Sequence, residues 1–381
     1  MKKIVQVFTV SLSTIFIEGL ADELKQAGYD LSVISADGPE ARKAEAAGEY
    51  SFWPVEMARG LSPIQNLKSW IKVRKILKEI RPDIVHGNTP IGGLISMTAA
   101  LSLGIRNRVY TMHGLKYPGE KGIRRGIIKS LEKATVMFST KAFAVSNGLK
   151  DYAIQEKIAS PKKLTVINHG SVKGIDIEKS RRIRERGRIF YEKKYGLSND
   201  VFRIGYFGRI NEEKGVPELI KALDEILKRH TGLDIILCGS EEMSKEKNKK
   251  EFDLFTQDKN VHFFGWVTDP LEYMICCDCI VLPTHREGFG LVNIEANSVG
   301  VPVITTDVMG CKDTIEDGVT GFFFSVGDMN ALIEKLEFLI NNGDIGKRMA
   351  QAGIDRAEEM FNRQDIWSAL INNYDMLTRE G

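Results

Sequence analysis

The stretch "FRIGYFGRINEEKGVPELIKALDEILKRHTGLDIILCG" (residues 202–239) decides the fold of this protein. It opens with a short apolar run, passes through a glycine-containing loop, and continues as an amphipathic segment at 216–229 with proline in its first turn. A second apolar run, "DIILCG", follows. Short strand-like runs joined by a helix are typical of parallel sheets that helices cover on both faces. The stretch therefore predicts one strand–helix–strand unit.

The same alternation repeats along both halves of the chain. The first half has helical patterns at 15–27, 63–80, 91–103 and 122–136, and the second at 216–229, 245–256, 270–277 and 289–299. Residues 170–198 are polar, charged and punctuated by glycine, and are predicted to interrupt the pattern. A chain of 381 residues also exceeds what one hydrophobic core usually supports. We predict an α/β fold with two similar domains, 1–170 and 171–363. A last helix at about 364–381 could pack back on the first domain or on the second.

The composition is that of an ordinary globular protein, but its charge is uneven. The net charge of +2 conceals basic clusters at 116–129 and 181–194. Such clusters indicate anionic partners, namely phosphates, nucleic acid or a membrane surface, or else solvated helix faces. The five cysteines are odd in number and lie in apolar surroundings, which fits a reducing compartment. "CCDC" at 276–279 lacks a second cysteine pair at zinc spacing, so we interpret these cysteines as small hydrophobic residues.

Two apolar segments raise the question of targeting or membrane insertion. The N-terminal segment is interrupted by Gln6, Ser11, Ser13 and Glu18, and fits a strand, a turn and an amphipathic helix better than a signal peptide. The run at 91–105 has 15 residues, too few to span a bilayer.

Polar and glycine-rich motifs follow the predicted strands. Ligands of open parallel sheets bind outside the carboxyl ends of the strands, and two facing sheets would form a cleft between domains. In "YFGRINEEKG" (206–215), Gly208 lets the chain turn close to a ligand. Arg209 and Lys214 then lie near a helix N-terminus, an arrangement that suits a diphosphate or is a surface loop with chance charges.

A second motif, "REGFGLVNIEA" (286–296), follows the strand "CIVLPT". Its glycines Gly288 and Gly290 allow close backbone approach, and the amides of residues 289–292 (Phe289, Gly290, Leu291 and Val292) could bind phosphate oxygens. Along a helix, Glu295 would lie roughly 10 Å from Glu287. Carboxylates would repel phosphates, so their partners should be hydroxyls, as in a nucleotide sugar. The alternative is two ordinary helix glutamates.

The first domain offers a smaller set of candidates. "YTMHG" ends a strand with His113, which is either structural or directed into the predicted cleft. "HGNTP" supplies His86, Asn88 and Thr89 at another strand end. The sequence contains no G-x-G-x-x-G, no phosphate-binding P-loop and no D-x-D pair for a divalent metal.

Taken together, these motifs resemble the family 4 glycosyltransferases, retaining enzymes with two facing Rossmann-like domains and a cleft between them, the B-type glycosyltransferase fold. The resemblance covers nearly the whole chain. It depends on "GRINEEKG", "EGFGLVNIE", "TMHG", "GVPVITTD" and "DGVTGFFF", which occur in the family's order. "SLSTIFIEGL", "RGLSPIQNLK", "HGNTP" and "GSVKGID" look like the branch that extends sugars on undecaprenyl diphosphate for capsular polysaccharides or protein glycans.

The resemblance implies a role for each position. Arg209 and Lys214 would neutralise the donor diphosphate, Glu295 would hold the ribose and Glu287 the donor sugar. The amides of residues 288–291 would touch sugar and phosphate, and His113 would lie near the reacting carbon. Many relatives carry two glycines after the first strand, where this chain has "TVSLST", as in the lipid-linked branch. Ser11, Ser13, Asn88 and Thr89 are expected on the acceptor side.

The implied reaction transfers a sugar from a nucleotide diphosphate, expected to be UDP, to an acceptor hydroxyl with retention, and needs neither metal nor other cofactor. The expected partners are a UDP-sugar, a polyprenyl-diphosphate-linked saccharide and an anionic membrane, but no nucleic acid. The helix at 122–136 would face the inner side of the cytoplasmic membrane with Arg124, Arg125 and Lys129. The alternatives are a UDP-sugar 2-epimerase-like enzyme and a non-catalytic nucleotide-sugar sensor.

Overall fold

A computed structural model of the protein describes residues 1–58, 60, 62–198 and 200–379. The chain divides into two compact units, Met1–Lys173 together with the segment from Gln364 onward, and Gly174–Arg363. The motif "RGLSPIQNLK" and the predicted last helix extend over a few positions, 59, 61, 380 and 381, that lie outside the described residues.

The first unit alternates strands and helices along its length. In chain order it contains β1 (Lys2–Val7), a 3-10 helix (Ser11–Ile17), α1 (Leu20–Gln26), β2 (Tyr29–Ser35), α2 (Pro39–Ala46), β3 (Ser51–Pro54), α3 (Pro63–Ile80), β4 (Ile84–Asn88), α4 (Pro90–Ser102), β5 (Asn107–Met112), a 3-10 turn (Tyr117–Gly119), α5 (Gly122–Phe138), β6 (Lys141–Ala144), α6 (Asn147–Gln155) and β7 (Leu164–Val166). The strands form one sheet in the order β3-β2-β1-β4-β5-β6-β7.

The second unit repeats the alternation. It contains α7 (Ile177–Arg186), α8 (Arg188–Tyr195), β8 (Phe202–Phe207), α9 (Val216–Arg229), β9 (Leu233–Cys238), α10 (Glu246–Phe255), β10 (Val261–Gly265), α11 (Pro270–Met274), β11 (Cys279–Leu282), α12 (Leu291–Ser298), β12 (Val303–Thr306), β13 (Gly321–Phe324), α13 (Met329–Asn341) and α14 (Gly343–Met360). Its sheet has the order β10-β9-β8-β11-β12-β13. The last helix, α15 (Arg363–Arg379), belongs to the first unit apart from its first residue.

Both sheets are parallel at each strand pair that the structure describes. In both, the first strand lies between the second and the fourth, which is the strand order of Rossmann-like domains. The prediction of two parallel α/β domains is therefore confirmed.

The structure of helix α9 explains why the sequence predicted it correctly. Gly215 precedes it in a left-handed conformation and Pro217 lies in its first turn. The apolar residues Leu219, Leu223 and Ile226 recur at helical spacing and are buried in the core of the second unit. The helix spans 216–229 as predicted.

The prediction of one helix at 15–27 is wrong. Residues 11–17 form a 3-10 helix and α1 begins only at Leu20. Gly19 separates them with a φ of +79°, and a side chain there would meet the Trp367 ring of α15. A positive φ cannot continue a helix, so the segment breaks at this glycine.

The predicted interruption at 170–198 contains two helices, α7 and α8. The Asp176 carboxylate caps α7 by accepting a hydrogen bond from the Lys179 amide at 2.9 Å. Ile183 and Tyr191 are buried, whereas many of the arginines around them are exposed. Each of the two helices has only a narrow apolar face, so the many charged residues concealed the helical spacing of the apolar ones. The alternative of helix faces was the better interpretation of this basic cluster.

The C-terminal helix α15 completes the first unit. Trp367, Leu370 and Tyr374 are buried in a core cluster that also contains Ile4 and Leu20. Helices α3, α4 and α5 pack side by side. None of the helices that the structure describes is both long enough and apolar enough to cross a membrane.

Candidate active site

Each sheet has one point where the strand order reverses, between β1 and β4 in the first unit and between β8 and β11 in the second. Ligands of such sheets bind outside the carboxyl ends of the strands at this point, because the two flanking loops diverge there and leave a crevice. The predicted site residues of each unit lie in or just beyond the loops that follow these strands.

In the second unit, the loop after β8 is held against the loop after β11. The Tyr206 hydroxyl donates to the Arg209 carbonyl at 2.6 Å, and the Asn211 side chain accepts from the Lys214 amide at 3.0 Å. Gly215 has a φ of +70°, and a Cβ there would lie 2.0 Å from the Pro283 carbonyl oxygen. Only glycine permits this approach, which brings Lys214 to the second loop.

Two ion pairs join the loops. Lys214 binds Glu287, and Arg286 binds Glu213, so adjacent residues of opposite charge on one loop match adjacent residues on the other. The Lys214 and Glu287 side chains are only 15% and 18% exposed. Burial opposes ionisation of Glu213, but Arg286, Arg209 and Lys214 hold the pKa of its carboxyl below the ordinary value. Lys214, predicted to contact the diphosphate, and Glu287, predicted to contact the donor sugar, therefore neutralise each other's charge in this structure.

Arg209 is the more accessible of the two predicted cations. Its side chain is 50% exposed and lies 3.3 Å from Glu242 and 3.7 Å from Glu213. Exposed ion pairs of this kind contribute little to stability, so separating the guanidinium from its two carboxylate partners costs little.

The loop that carries Glu287 is stabilised by a contact that the sequence did not reveal. A Cβ on Gly310 would lie 2.5 Å from the Glu287 carbonyl oxygen, and the Gly310 carbonyl accepts from the Gly290 amide at 2.9 Å. The Leu291 amide donates to the Phe289 carbonyl at 2.8 Å. The amides of Gly290 and Leu291 are thus already engaged, which corrects the expectation that they are open to phosphate.

The helix itself begins later than predicted, at Leu291 rather than 289. Glu287 and Gly288 consequently lie in the loop, and the helical spacing proposed between Glu287 and Glu295 does not apply. Phe289 is buried against Phe361, which anchors the loop to the body of the second unit. Val292 and Glu295 are on α12 and half-buried.

Several residues of this site were missed by sequence reasoning. They are Asn211, Glu213, Arg286 and Gly310. The first three lie inside the two quoted motifs. The adjacent acidic and basic residues in "EK" (213–214) and "RE" (286–287) could have indicated that the two loops pair with each other. Gly310 is remote in sequence and gave no signal, because its role depends on which loops meet.

In the first unit, His113 follows β5 and lies beside Asn88 of β4. Its Nε2 is 3.0 Å from Asn88 Oδ1, and its ring stacks on Phe16 with centroids 5.0 Å apart. Burial lowers the pKa of His113 to about 4, so the imidazole is neutral at pH 7. A neutral imidazole offers one ring nitrogen as an acceptor.

The other predicted residues of the first unit are placed around the strand ends. Thr89 has a φ of +63°, unusual for a residue with a side chain, and its Oγ1 is 2.7 Å from Thr9 Oγ1. The Ser11 hydroxyl donates to Glu40 at 2.7 Å and accepts from the Ala41 amide, so it is engaged within the unit. Ser13 is half-buried in the 3-10 helix.

The residues predicted to face a membrane differ from one another. Arg124 and Arg125 are exposed in the first turn of α5, whereas Lys129 is paired with Glu156 at 2.6 Å and partly buried. Ile123 and Ile127 on the same helix are 86% and 44% exposed.

All five cysteines are free and buried, which confirms their interpretation as small hydrophobic residues. Burial raises the pKa of Cys311, beside the Glu287 loop, to about 12. Across the described ranges of the chain, no cluster of three or more histidine, cysteine, aspartate or glutamate side chains could hold a metal ion.

The whole chain superposes on solved enzymes built from the same two kinds of unit. The TM-score is 0.84 for the sucrose-phosphate synthase of Thermosynechococcus elongatus, at 18% identity and with 100% of both chains covered. It is 0.80 for Anabaena HepE in complex with UDP-glucose, at 20% identity and with 99% of this chain and 100% of that chain covered. These similarities define the fold as the B-type glycosyltransferase fold.

Sequence relatives identify the family. The model "Glycosyltransferase Family 4" matches residues 14–171, and "Glycosyl transferases group 1" matches residues 187–356. The chain is 34% identical over 379 residues to the capsular polysaccharide biosynthesis glycosyltransferase CapM of Staphylococcus aureus, with 100% of this chain and 98% of that protein covered. The chain therefore belongs to the family 4 glycosyltransferases, as its motifs predicted, and is an enzyme that transfers sugars.

A second relative has a more specific name. The Escherichia coli UDP-Gal:alpha-D-GlcNAc-diphosphoundecaprenol alpha-1,3-galactosyltransferase is 27% identical over 313 residues, with 81% of this chain and 79% of that protein covered.

Proposed function

We propose that this enzyme transfers a sugar from a UDP-sugar, with retention, to a hydroxyl of a saccharide linked to undecaprenyl diphosphate. The product would serve the assembly of a bacterial surface polysaccharide or protein glycan. The observation that carries the proposal is the Lys214–Glu287 pair at the strand-order reversal of the second unit. The names of CapM and of the Escherichia coli relative support the pathway and the lipid-linked acceptor, and the UDP-glucose bound to HepE supports the donor.

The two loops suit a ligand that carries both phosphates and hydroxyls. On donor binding, Lys214 exchanges the Glu287 carboxylate for phosphate oxygens, and Glu287 becomes free to accept hydrogen bonds from sugar hydroxyls. Arg209 adds a second positive charge near the same phosphates. Charges placed in advance near the leaving group stabilise the negative charge that develops there.

The proposed chemistry needs no protein nucleophile. The bond between the sugar carbon and the phosphate oxygen breaks, and the acceptor oxygen attacks the same face of the sugar. The leaving phosphate takes the proton of the acceptor hydroxyl. Arg209 and Lys214 supply the positive charge that a metal ion would otherwise provide, so we propose a metal-independent reaction.

The enzyme would reach its acceptor as a peripheral protein on the cytoplasmic face of the membrane. Helix α5 exposes Ile123 and Ile127 beside Arg124 and Arg125. Exposed apolar residues flanked by basic ones suit an anionic lipid surface.

Helix α3 carries a second surface of the same kind. Ile64, Leu67 and Ile71 are 75%, 59% and 56% exposed along one side. Lys68, Lys72 and Lys75 are exposed beside them. Both helices flank α4, so the two surfaces belong to one layer of the first unit.

One assay separates the proposal from its two alternatives. The protein is incubated with radiolabelled UDP-sugars, with and without a polyprenyl-diphosphate-linked sugar. A transferase moves label to the lipid fraction only when the acceptor is present. A 2-epimerase-like enzyme alters the donor sugar without an acceptor, and a sensor binds the donor without turnover. Either of the last two results would contradict the proposal.

A further inference from the structure

A chain of buried polar side chains crosses the first unit from the C-terminal helix to His113. Its members are Tyr374 on α15, His86 and Asn88 on β4, and Gln6 on β1. All four are buried. Polar groups in a protein core are costly unless each finds a partner, so a continuous set of this kind holds its members in fixed orientations.

The direction of each hydrogen bond follows from the donors available. Gln6 Nε2 donates to the Tyr374 oxygen at 3.0 Å. The single hydroxyl hydrogen of Tyr374 is then available to His86 Nδ1, which lies 2.5 Å away and must be an acceptor. His86 consequently carries its proton on Nε2 and donates it to Thr111 Oγ1 at 2.7 Å. Burial, and secondarily His113, lowers the pKa of His86 to about 3, which agrees with a neutral ring.

The other end of the Gln6 amide sets the orientation of Asn88. Gln6 Oε1 accepts from Asn88 Nδ2 at 2.6 Å, and the same nitrogen lies 3.4 Å from the His86 carbonyl oxygen. Asn88 Oδ1 therefore faces His113 Nε2, which must donate. Turning both amides over would place Asn88 Oδ1 against the His86 carbonyl, where two acceptors repel. The His86 carbonyl thus favours one of the two possible directions, through a long contact that the rest of the network reinforces.

The open end of the chain is His113 Nδ1. This atom is buried and has no hydrogen-bond partner in the described part of the protein. His113 lines a cavity of about 50 Å³, together with Phe16, Leu20 and residues of α15. A cavity of this size is large enough for a water molecule or a hydroxyl group.

We propose that Gln6, His86 and Tyr374 are positioning residues that hold His113 in its Nε2–H form, so that Nδ1 presents a lone pair to a hydroxyl donor. Helix α15, which carries Tyr374, would in this way determine which nitrogen of His113 donates and which accepts a hydrogen bond. The catalytic significance rests on the proposed function, whereas the protonation pattern of His113 does not.

The protonation pattern can be measured directly. The chain has six histidines, and labelling them with ¹⁵N gives long-range proton–nitrogen spectra in which the two neutral forms have different patterns. The His113→Gln variant assigns the signals. At pH 7, wild-type His113 should show the neutral Nε2–H pattern. An Nδ1–H pattern or a charged ring would overturn the proposal without the need for any further variant.

Tyr374→Phe removes the hydroxyl that holds both the Gln6 amide and the His86 ring, so that only the 3.4 Å contact with the His86 carbonyl still favours one direction of the hydrogen bonds. Gln6 then faces only His86 on that side and can meet it in either amide orientation. We expect His113 to populate both neutral forms and kcat to fall by about five- to tenfold, the rate factor equivalent to one neutral hydrogen bond. The KM for the donor should change by less than about twofold, because the phosphate contacts lie in the other unit. Gln6→Leu should mix the two forms as well.

Tyr29→Phe is the matched control. The Tyr29 hydroxyl also binds α15, by donating to Asp375 at 2.7 Å, but it is not part of the hydrogen-bonded series that leads to His113. This variant should leave the His113 spectrum and kcat unchanged. If both Tyr374→Phe and Gln6→Leu retain the wild-type His113 pattern, the positioning role is wrong. If the spectra behave as expected but no UDP-sugar is turned over by any form, the proposed function fails and the positioning stands.

Discussion

At the residue scale, the state of Lys214 determines how the site can work. Its ammonium and the Glu287 carboxylate neutralise each other in a partly buried position. Removing one partner of such a pair leaves the other charge without compensation. Lys214 therefore contributes to the architecture of the two loops as well as to the proposed phosphate site.

Lys214→Ala should lower turnover by about 10²- to 10³-fold, because it removes a charge that stabilises the developing negative charge on the leaving phosphate. Steady-state kinetics with the labelled donor measures this effect, and circular dichroism checks the fold. Lys221→Ala, which removes an exposed lysine of α9 in the same unit, is the matched control and should be neutral. A folded Lys214→Ala protein with wild-type turnover would contradict the assignment.

Glu132 on α5 is a second residue whose environment has a measurable consequence. Burial raises the pKa of its carboxyl from 4.5 to about 7, against the lowering effect of the Tyr110 hydroxyl bond and of Lys116. Between these pH values the folded protein keeps a proton that the unfolded chain has released. The contribution of Glu132 to the free energy of unfolding therefore falls as the pH rises from about 4.5 to 7.

Glu132→Gln should remove this dependence. A full shift of this size corresponds to at most about 3 kcal/mol between pH 4.5 and 8, so the variant should gain stability relative to wild type across that window. Urea unfolding at pH 5, 6, 7 and 8 measures the difference. The difference curve is needed because His86 and His113, whose pKa values are lowered, change stability in the opposite direction. Glu79→Gln, an exposed carboxylate of α3, should give a flat difference curve, and a flat curve for Glu132→Gln would refute the argument.

At the scale of elements, α5 combines the features expected of a membrane-contact helix. Its first six residues, 122–127, are exposed and contain Ile123 and Ile127 with Arg124 and Arg125, while Glu132 and Val136 further along are buried. One end of the helix therefore anchors it to the first unit, and the other end is exposed to solvent.

The double variant Arg124→Glu with Arg125→Glu should weaken binding to anionic liposomes by at least about tenfold at low salt, since each basic residue near the surface contributes about 1 kcal/mol. Acidic residues are favourable in the first turn of a helix, so α5 should remain folded. Co-sedimentation with phosphatidylglycerol vesicles measures binding. The same change at Arg181 and Arg182, an exposed pair on α7 of the second unit, should have little effect. Equal binding by wild type and the α5 variant would exclude this docking surface.

Elements differ in how well the sequence predicted them. Helix α9 has a broad buried stripe and clear signals at both ends, so its bounds were predicted without error. Helices α7 and α8 were missed because their few buried residues stand among arginines and lysines that mask the period. The break at Gly19 was missed because nothing in the local sequence shows that this glycine adopts a φ of +79°.

At the scale of the whole molecule, the proposed reaction relies on protein cations in place of a metal. Activity should therefore survive EDTA at millimolar concentration and should not rise on addition of magnesium or manganese, because Arg209 and Lys214 supply the positive charge. The labelled transfer assay measures this. Complete loss with EDTA, restored by either metal, would show that the phosphate site has been misinterpreted.

The sequence by itself determined the parallel α/β architecture and the residue types of the site. Strand and helix periods, with glycine and proline at the boundaries, are local signals, and the residues that follow a parallel strand lie at the ligand edge of any such sheet. Tertiary structure alone decided the partners. Lys214 meets Glu287 across 73 residues, and Tyr374 meets His86 across 288. The physical reason is that these contacts depend on strand order and on the close approach of loops at Gly215 and Gly310, which are properties of distant segments brought together.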